Sequence, residues 1–481
     1  MARDDYESVI GLEVHVELST ETKVFCGCPT RFGAEPNSQT CPICLGLPGT
    51  LPVLNRKALE YGLKTALALH GTITPFSKFD RKNYFYPDLP KNYQISQYDL
   101  PLSTGGFVMI DLEGEKKIRI RRVHLEEDTG KLIHPEGDNR ASLLDFNRSG
   151  IPLLEIVSEP DLRTPDEAYA YATALKANLE YLGVSDCNME EGSLRCDTNI
   201  SVRKRGSQEL GVKVEIKNLN SFRSVKLSLQ YEIARQIQAL EEGKGLTQET
   251  RLWDTGKNVT LPMRSKESAH DYRYFPDPDL VPFVLSKEAI ETLRKSLPEL
   301  PEERIERFER DYGLPSYDVK VLTGEKKLSD YYEVCVRLLK KPKLIANWVM
   351  GPLLEQLKDP REIDHFPVTP DRLVTLLNCL EQGEITQLAA KQVLEIMTQT
   401  RETPQEIIRR ENLAQIQDLG MLDRLIQEAI QENPKSVLDY HQGKENAMMY
   451  LVGQVMKKTK GSANPKKVNQ LLKEKLEEAK K

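Results

Sequence analysis

The chain has 481 residues, a net charge of −6 and eight cysteines. That length supports about three domains with sizeable cores, whereas the acidic balance excludes a uniformly basic nucleic-acid coat and confines any such surface to one region. The cysteines are too few for a disulfide scaffold, no segment reaches ~18 uninterrupted apolar residues, and "MARDDYESVI" lacks a basic-then-apolar leader, so the chain reads as cytoplasmic.

The first predicted element is a strand. From Leu12 to Leu18 the residues Leu12, Val14, Val16 and Leu18 share one face, and Glu13, His15 and Glu17 share the other. A Glu-x-His-x-Glu face sets hard-metal and acid–base ligands ~7 Å apart along a rigid strand, which suits Mg²⁺ when phosphate oxygens complete the shell. The plainer reading, the solvated side of a half-buried strand, stays open.

Four cysteines follow: Cys26 and Cys28 are separated by one residue, and Cys41 and Cys44 form a Cys-x-x-Cys knuckle. Two thiolate pairs on a Pro/Gly/Asn-rich loop suit a tetrahedral Zn²⁺. Four sulfur ligands leave no position for substrate, so the expected zinc is structural; buried metal-free thiols or a redox pair are the alternatives.

From Phe79 to Asp99 the chain interleaves Arg81, Lys82 and Lys91 with Tyr84, Phe85, Tyr86 and Tyr93. Aromatic planes among cations suit either a stacked single-stranded RNA end or a core loop with snorkelling bases. The later "DYRYFPDPDLVP", Asp271 to Pro282, has the same ambiguity.

The alternating "KIRIRR" leads into "VHLEEDTGK", which places Glu126, Glu127 and Asp128 side by side. Period 2 puts Val123, Leu125 and Glu127 on one face and His124, Glu126 and Asp128 on the other. Taken alone, the triplet reads as a solvated strand end. Glu155 then sits inside the apolar run Pro152 to Val157, where an uncompensated charge is expensive, so it requires either a partner such as Arg148 or a metal or catalytic role.

Thr164-Pro165-Asp166-Glu167 is a capping box with Pro at the first helical position, and Gly183 can close that helix. Two further strands alternate, one exposing Arg195, Asp197, Asn199 and Ser201, the other Lys213, Glu215 and Lys217. A helix from Ser221 to Gly243 aligns Val225, Leu229, Ile233, Ile237 and Leu240. Brought onto one sheet, Glu13, His15, Asp197 and one acid of the 126–128 triplet would converge on a divalent cation. Lys213, Lys217, Arg195 or Arg81 would neutralise phosphate oxygens, which is phosphoryl transfer in outline.

Around Leu297-Pro298-Glu299-Leu300-Pro301 the strand signals fade and amphipathic helical stripes take over. The last thirty residues hold nine Lys against three Glu, and Asn464-Pro465 can open a final helix; the tail reads as a solvated helix pair or an RNA contact. The chain has no GxxxxGK[ST] and no GxGxxG, so any use of ATP proceeds without those loops.

The strings "VIGLEVHVEL", "FGAEPNSQTCPICLGLPGTLPVLN", "FDRKNYFYPDLPKNYQISQYD", "HLEEDTGKL", "PLLEIVSEPDLR", "EGSLRCDTNISV", "KNLNSF", "DYRYFPDPDL" and the tail "LVGQVMKKTKGSANPKKVNQLL" closely resemble the GatB family, one of the three components of the tRNA-dependent GatCAB amidotransferases. The resemblance spans the chain and implies an α+β fold: a cradle around an antiparallel sheet at 1–293, a helical domain at 294–410 and a YqeY-like helical tail at 411–481. It implies a ligase that uses ATP and Mg²⁺ to phosphorylate the side-chain carboxylate of misacylated Glu-tRNA(Gln) or Asp-tRNA(Asn). Ammonia from an amidase subunit then forms the amide, and the complex is clasped by a third, small subunit. Glu13, His15 and Glu127 match the motif positions of its metal-binding kinase pocket. Glu127 is also expected to be catalytic; Glu155 and Lys213 as further catalytic groups and Asp197 as a metal ligand come from strand alternation, and Arg81, Arg195 and Lys217 are the expected nucleotide contacts. A non-catalytic, zinc-containing tRNA-binding scaffold is the competing reading.

Overall fold

The computed structural model describes residues 5–112, 114–133, 141–263, 272–415, 419–459 and 462–478. The chain divides into two compact units, Met1–Pro301 and Glu302–Lys481.

The first unit is built on a ten-stranded sheet in the order Val259–Pro262, Glu249–Asp254, Val214–Lys217, Leu194–Lys204, Tyr6–Glu17, Pro152–Ser158, Glu115–Glu127, Ser103–Thr104 and Thr72–Ile73. Phe107–Asp111 also pairs with Glu115–Glu127. The expected antiparallel sheet is mixed at one place: Val214–Lys217 and Glu249–Asp254 run parallel. The helix Phe222–Glu241 between them returns the chain to the same end of the sheet, as a parallel connection requires.

Alternation decides which face is buried. Leu12, Val14 and Val16 lie in one core with Tyr171, Leu175 and Leu179 of the helix Pro165–Leu182 and with Val225 and Leu229 of the helix Phe222–Glu241. Each such side chain contributes ~1.5–3 kcal/mol by leaving water. The first of these helices starts where expected, because the Thr164 side chain accepts the Glu167 N–H. It stops at Gly183, whose φ of 67° releases the chain into a left-handed turn. Ser221 caps the second helix through the Ser224 N–H.

A three-stranded sheet sets Asp80–Asn83 between Tyr93–Ser96 and Phe275–Pro276. The two aromatic-and-basic stretches, about 190 residues apart, therefore pair with one another; Asp271, which opens the second, lies outside the described residues.

The second unit is helical and has two separate cores. One runs from Phe308 to Leu413 and includes Trp348; the other runs from Leu422 to Leu476. The final helix is Pro465–Glu478, its N-terminus capped by the Asn464 side chain accepting the Lys466 N–H at 3.0 Å. Among the described residues no helix is long and apolar enough to cross a membrane.

Candidate active site

The polar face of the sheet is assembled by register. His15 lies opposite Arg195 on one side and opposite Glu155 on the other, and Glu155 lies opposite His124. One row of the sheet therefore reads Arg195, His15, Glu155, His124. In the neighbouring row Asp197 faces Glu13, and on the far side Leu153 faces Glu126.

The result is a compact group of carboxylates and imidazoles. Donor atoms of Glu13, His15 and Glu155 lie within 4.8 Å of one another, as do those of His124, Glu126 and Glu155. His15 Nε2 is 3.6 Å from Glu155 and 3.7 Å from Glu126, while His124 Nε2 is 3.1 Å from Glu155 and 3.5 Å from Glu126. Ser96 Oγ donates to Glu126 at 3.1 Å. A guanidinium nitrogen of Arg122 is 3.6 Å from Glu155.

The electrostatics follow from crowding charge in a buried place. Burial pulls both imidazoles down, but the hydrogen bond to Glu155 and the charge of Glu126 raise His15 above its ordinary value. The charge of Glu155, with hydrogen bonds to both acids, lifts His124 to about 9. Reciprocally, burial would raise Glu126 and Glu155, yet the imidazoles hold both below the usual carboxylate range. Glu13, with less compensation, is raised by burial and by the charge of Glu155. Such a group requires positive charge, from protons or from a metal ion.

Flanking groups extend the face. Lys217 is 2.7 Å from Asp197 and 3.1 Å from Glu215. Arg195 is 2.7 Å from Asp128 and 3.8 Å from Glu17, and burial, with the charge of Asp128, pushes the Glu17 carboxyl up to about 8.

Several expectations change on contact with this geometry. Glu127 does not join Glu13 and His15, because alternation turns it to the opposite side of its strand. There Lys91 Nζ lies 2.7 Å from its carboxylate and the Ile95 N–H donates at 2.8 Å, beside a cavity of about 200 Å³ shared with the cysteine loop. Lys213 is exposed and precedes the strand Val214–Lys217. It is four residues, ~13 Å of extended chain, from the row of Lys217. Arg81 is held by Asp277 at 2.8 Å and Asp279 at 2.9 Å, over the ring of Tyr93. Arg148, considered as a partner for Glu155, bonds instead to the carbonyls of Thr129 and Gly130. Sequence reasoning passed over His124 and Glu126, although alternation had already set them on the polar face.

The four cysteines form a second donor group, all four sulfurs within 4.8 Å of one another. Cys41 and Cys44 sulfurs are 3.9 Å apart, near the ~3.8 Å edge of a tetrahedron with metal–sulfur bonds of ~2.3 Å. Hydrogen bonding from Cys26, aided by the nearby Lys23 ammonium, draws the Cys44 thiol down to about 4. None of the eight cysteines is in a disulfide.

A mixed sheet bearing clustered carboxylates, followed by helical segments, corresponds to a two-part architecture found among known proteins. Residues 8–291 match the model of the GatB/GatE catalytic domain and residues 330–476 that of the GatB domain. The chain is 57% identical over 473 residues to the B-type subunit of the aspartyl/glutamyl-tRNA(Asn/Gln) amidotransferase of Caldanaerobacter subterraneus, covering 98% of this chain and 99% of the relative. It is 58% identical to that of a Thermoanaerobacter species, with the same coverage. For the protein of the same name from Carboxydothermus hydrogenoformans the identity is 54% over 477 residues, covering 98% and 99% of the two chains. The chain belongs to this GatB family of amidotransferase components.

Proposed function

We propose that this chain holds Mg²⁺ with Glu13, Glu126 and Glu155 and the imidazoles of His15 and His124, and there activates a misacylated aminoacyl-tRNA. A side-chain carboxylate oxygen of Glu-tRNA(Gln) or Asp-tRNA(Asn) attacks the γ-phosphorus of ATP and ADP leaves. Ammonia then attacks the acyl carbon, phosphate departs, one proton is lost, and Gln-tRNA(Gln) or Asn-tRNA(Asn) results. Mg²⁺, when bound, would offset the charge of two anions brought together. Arg122, Lys217 and Arg195 surround the same face and can neutralise phosphate oxygens, with Asp197 orienting Lys217. Glu127, Lys213 and Arg81 take no part in this step.

The observation that supports this reading most is the pair of overlapping donor groups, Glu13, His15 and Glu155 and then His124, Glu126 and Glu155, which three adjacent strands bring together around the shared Glu155. Acidic side chains without a counter-ion repel, and burial makes that repulsion worse. Ammonia comes from an amidase partner, and a third, small partner completes a cytoplasmic heterotrimer. Zn²⁺ at Cys26, Cys28, Cys41 and Cys44 staples the loop and remains apart from the chemistry. Residues 1–293 carry the reaction, 294–410 form a helical domain, and the lysine-rich 411–481 contacts the tRNA body.

The test is Glu126→Gln in the assembled enzyme. ADP release dependent on misacylated tRNA should vanish while tRNA affinity stays within about twofold. Undiminished ADP release would remove Glu126, and with it this site, from the mechanism.

A further inference from the structure

The two aromatic-and-basic stretches have a joint consequence in the structure. Their pairing places four tyrosines in a continuous chain of ring contacts: Tyr84 to Tyr272 at 5.9 Å, Tyr272 to Tyr274 at 6.0 Å, and Tyr274 stacked on Tyr98 at 4.2 Å with planes 13° apart. The Lys82 ammonium sits 4.9 Å from the centre of the Tyr272 ring and 5.8 Å from that of Tyr84. Asn83 locks the two stretches together, its N–H donating to the Tyr272 carbonyl at 2.9 Å and its side chain to the Arg273 carbonyl at 2.8 Å.

This wall borders the carboxylate group. Tyr98 lies two residues, ~7 Å of chain, beyond Ser96, whose hydroxyl binds Glu126. The Tyr274 hydroxyl is raised first by its burial and then by the charges of Glu126 and Glu155; Tyr84 is likewise raised by burial and then by Glu126. This same end opens to solvent, with Tyr98 55% exposed, and at the far end Phe85, next to Tyr84, is 80% exposed. Aromatic rings that serve only a core are covered, whereas here the stacked pair Tyr274 and Tyr98 borders buried acids and leaves one ring bare to solvent.

We propose that this wall is a stacking platform for an adenine ring, with the outer face of Tyr98 as its landing surface, and that it carries the attached group toward the carboxylate site. The proposal rests on the phosphoryl-transfer reading for its choice of base. Both substrates of that reading carry adenine, ATP in its nucleoside and tRNA in its terminal nucleotide. A base offers a flat π-face to the ring beneath it.

Three arms test this without requiring turnover. Calorimetric titration of the assembled complex compares Tyr98→Leu and Tyr98→Phe with the unaltered protein, using ATP with Mg²⁺, intact tRNA, and the same tRNA lacking its terminal adenosine. Tyr98→Leu is expected to weaken one adenine-bearing ligand by about fivefold or more, the lower end for one base–aromatic stack, and Tyr98→Phe to restore it. Weakened ATP binding assigns the platform to the donor. Weakened binding of intact tRNA, with the truncated tRNA unaffected, assigns it to the acceptor. If both affinities stay within twofold in Tyr98→Leu, the proposal fails. Should that variant not assemble, photolabelling of the unaltered complex with 8-azido-ATP, or with tRNA ending in 8-azidoadenosine, decides the matter. Label within 79–99 or 272–284 supports the platform, and label confined elsewhere overturns it. Loss of ADP release in Glu126→Gln tests the chemistry separately, so the two readings can fail independently.

Discussion

Replacing two neighbouring acids one at a time separates the two faces of the strand Glu115–Glu127. Glu126 lies among His15, His124 and Ser96, whereas Glu127 is bound to Lys91, itself only 8% exposed. In Glu127→Gln the buried ammonium loses its counter-charge, a change worth about 3 kcal/mol. Spread over the unfolding entropy of a unit of 301 residues, at about 2.1 cal/mol/K per residue, that lowers its melting temperature by about 5 °C. Glu126→Gln removes one of three carboxylates facing the proposed ion. At ~4 Å and an effective dielectric of ~20 each unit charge pair is worth about 4 kcal/mol, so divalent affinity should fall about 100-fold or more, with little change in melting. The assay is Mn²⁺ titration by electron paramagnetic resonance, with calorimetric melts of the same samples. Mn²⁺ affinity lost in Glu127→Gln but intact in Glu126→Gln would reverse the assignment of faces and refute the reasoning.

Elemental analysis should find about one zinc per chain, and chelation should open Cys26, Cys28, Cys41 and Cys44 to alkylation while the buried Cys187, Cys196, Cys335 and Cys379 stay protected; a chain without zinc, with all four loop thiols reactive from the start, counts against the metal. In the helical unit Glu333 accepts from Arg304 at 3.0 Å, Arg307 at 2.6 Å and Tyr312 at 2.9 Å. Burial would raise its carboxyl, but these donors hold it below its ordinary value. Its stabilisation is therefore present above about pH 4.5 and is lost as pH falls through the lower folded value. Glu333→Gln should flatten that acid limb in melts followed through Trp348 in a Trp253→Phe background, and an unchanged limb would exclude Glu333 as its source. Truncation ahead of Leu419 removes the whole Leu422–Leu476 core and should weaken tRNA binding far more than basal glutaminase activity of the assembled enzyme. Equal tRNA affinity with and without the tail would count against an RNA contact.

The strands, the caps and the chemical faces were legible because each rests on local rules. Glu13 and His15 share a face by period 2 alone, and Thr164 and Gly183 bound a helix by their own hydrogen bonding and backbone freedom. Register was not legible. Nothing local says that His15 sits opposite Glu155, or that Arg81 is bound by Asp277 and Asp279, about 200 residues away. Glu127 shows the reverse lesson, since alternation placed Glu126 with His124 on the polar face and motif resemblance drew attention to its neighbour. Lys213 fell outside for a simpler reason: its strand begins one residue later, at Val214.

The sheet order also bears on how the chain is made. Tyr6–Glu17 is synthesised first, yet it lies between Pro152–Ser158 and Leu194–Lys204. At ~5–20 residues per second, on the order of 10–40 s separate its emergence from that of Lys204. Until Pro152–Ser158 emerges, a strand with an apolar face and two open hydrogen-bonding edges has neither neighbour, and until Leu194–Lys204 follows one edge stays open, the condition in which nascent chains aggregate or engage chaperones. His15 and Glu155 can meet only after the later strand arrives, so a truncated nascent chain carries only half of the carboxylate–imidazole group.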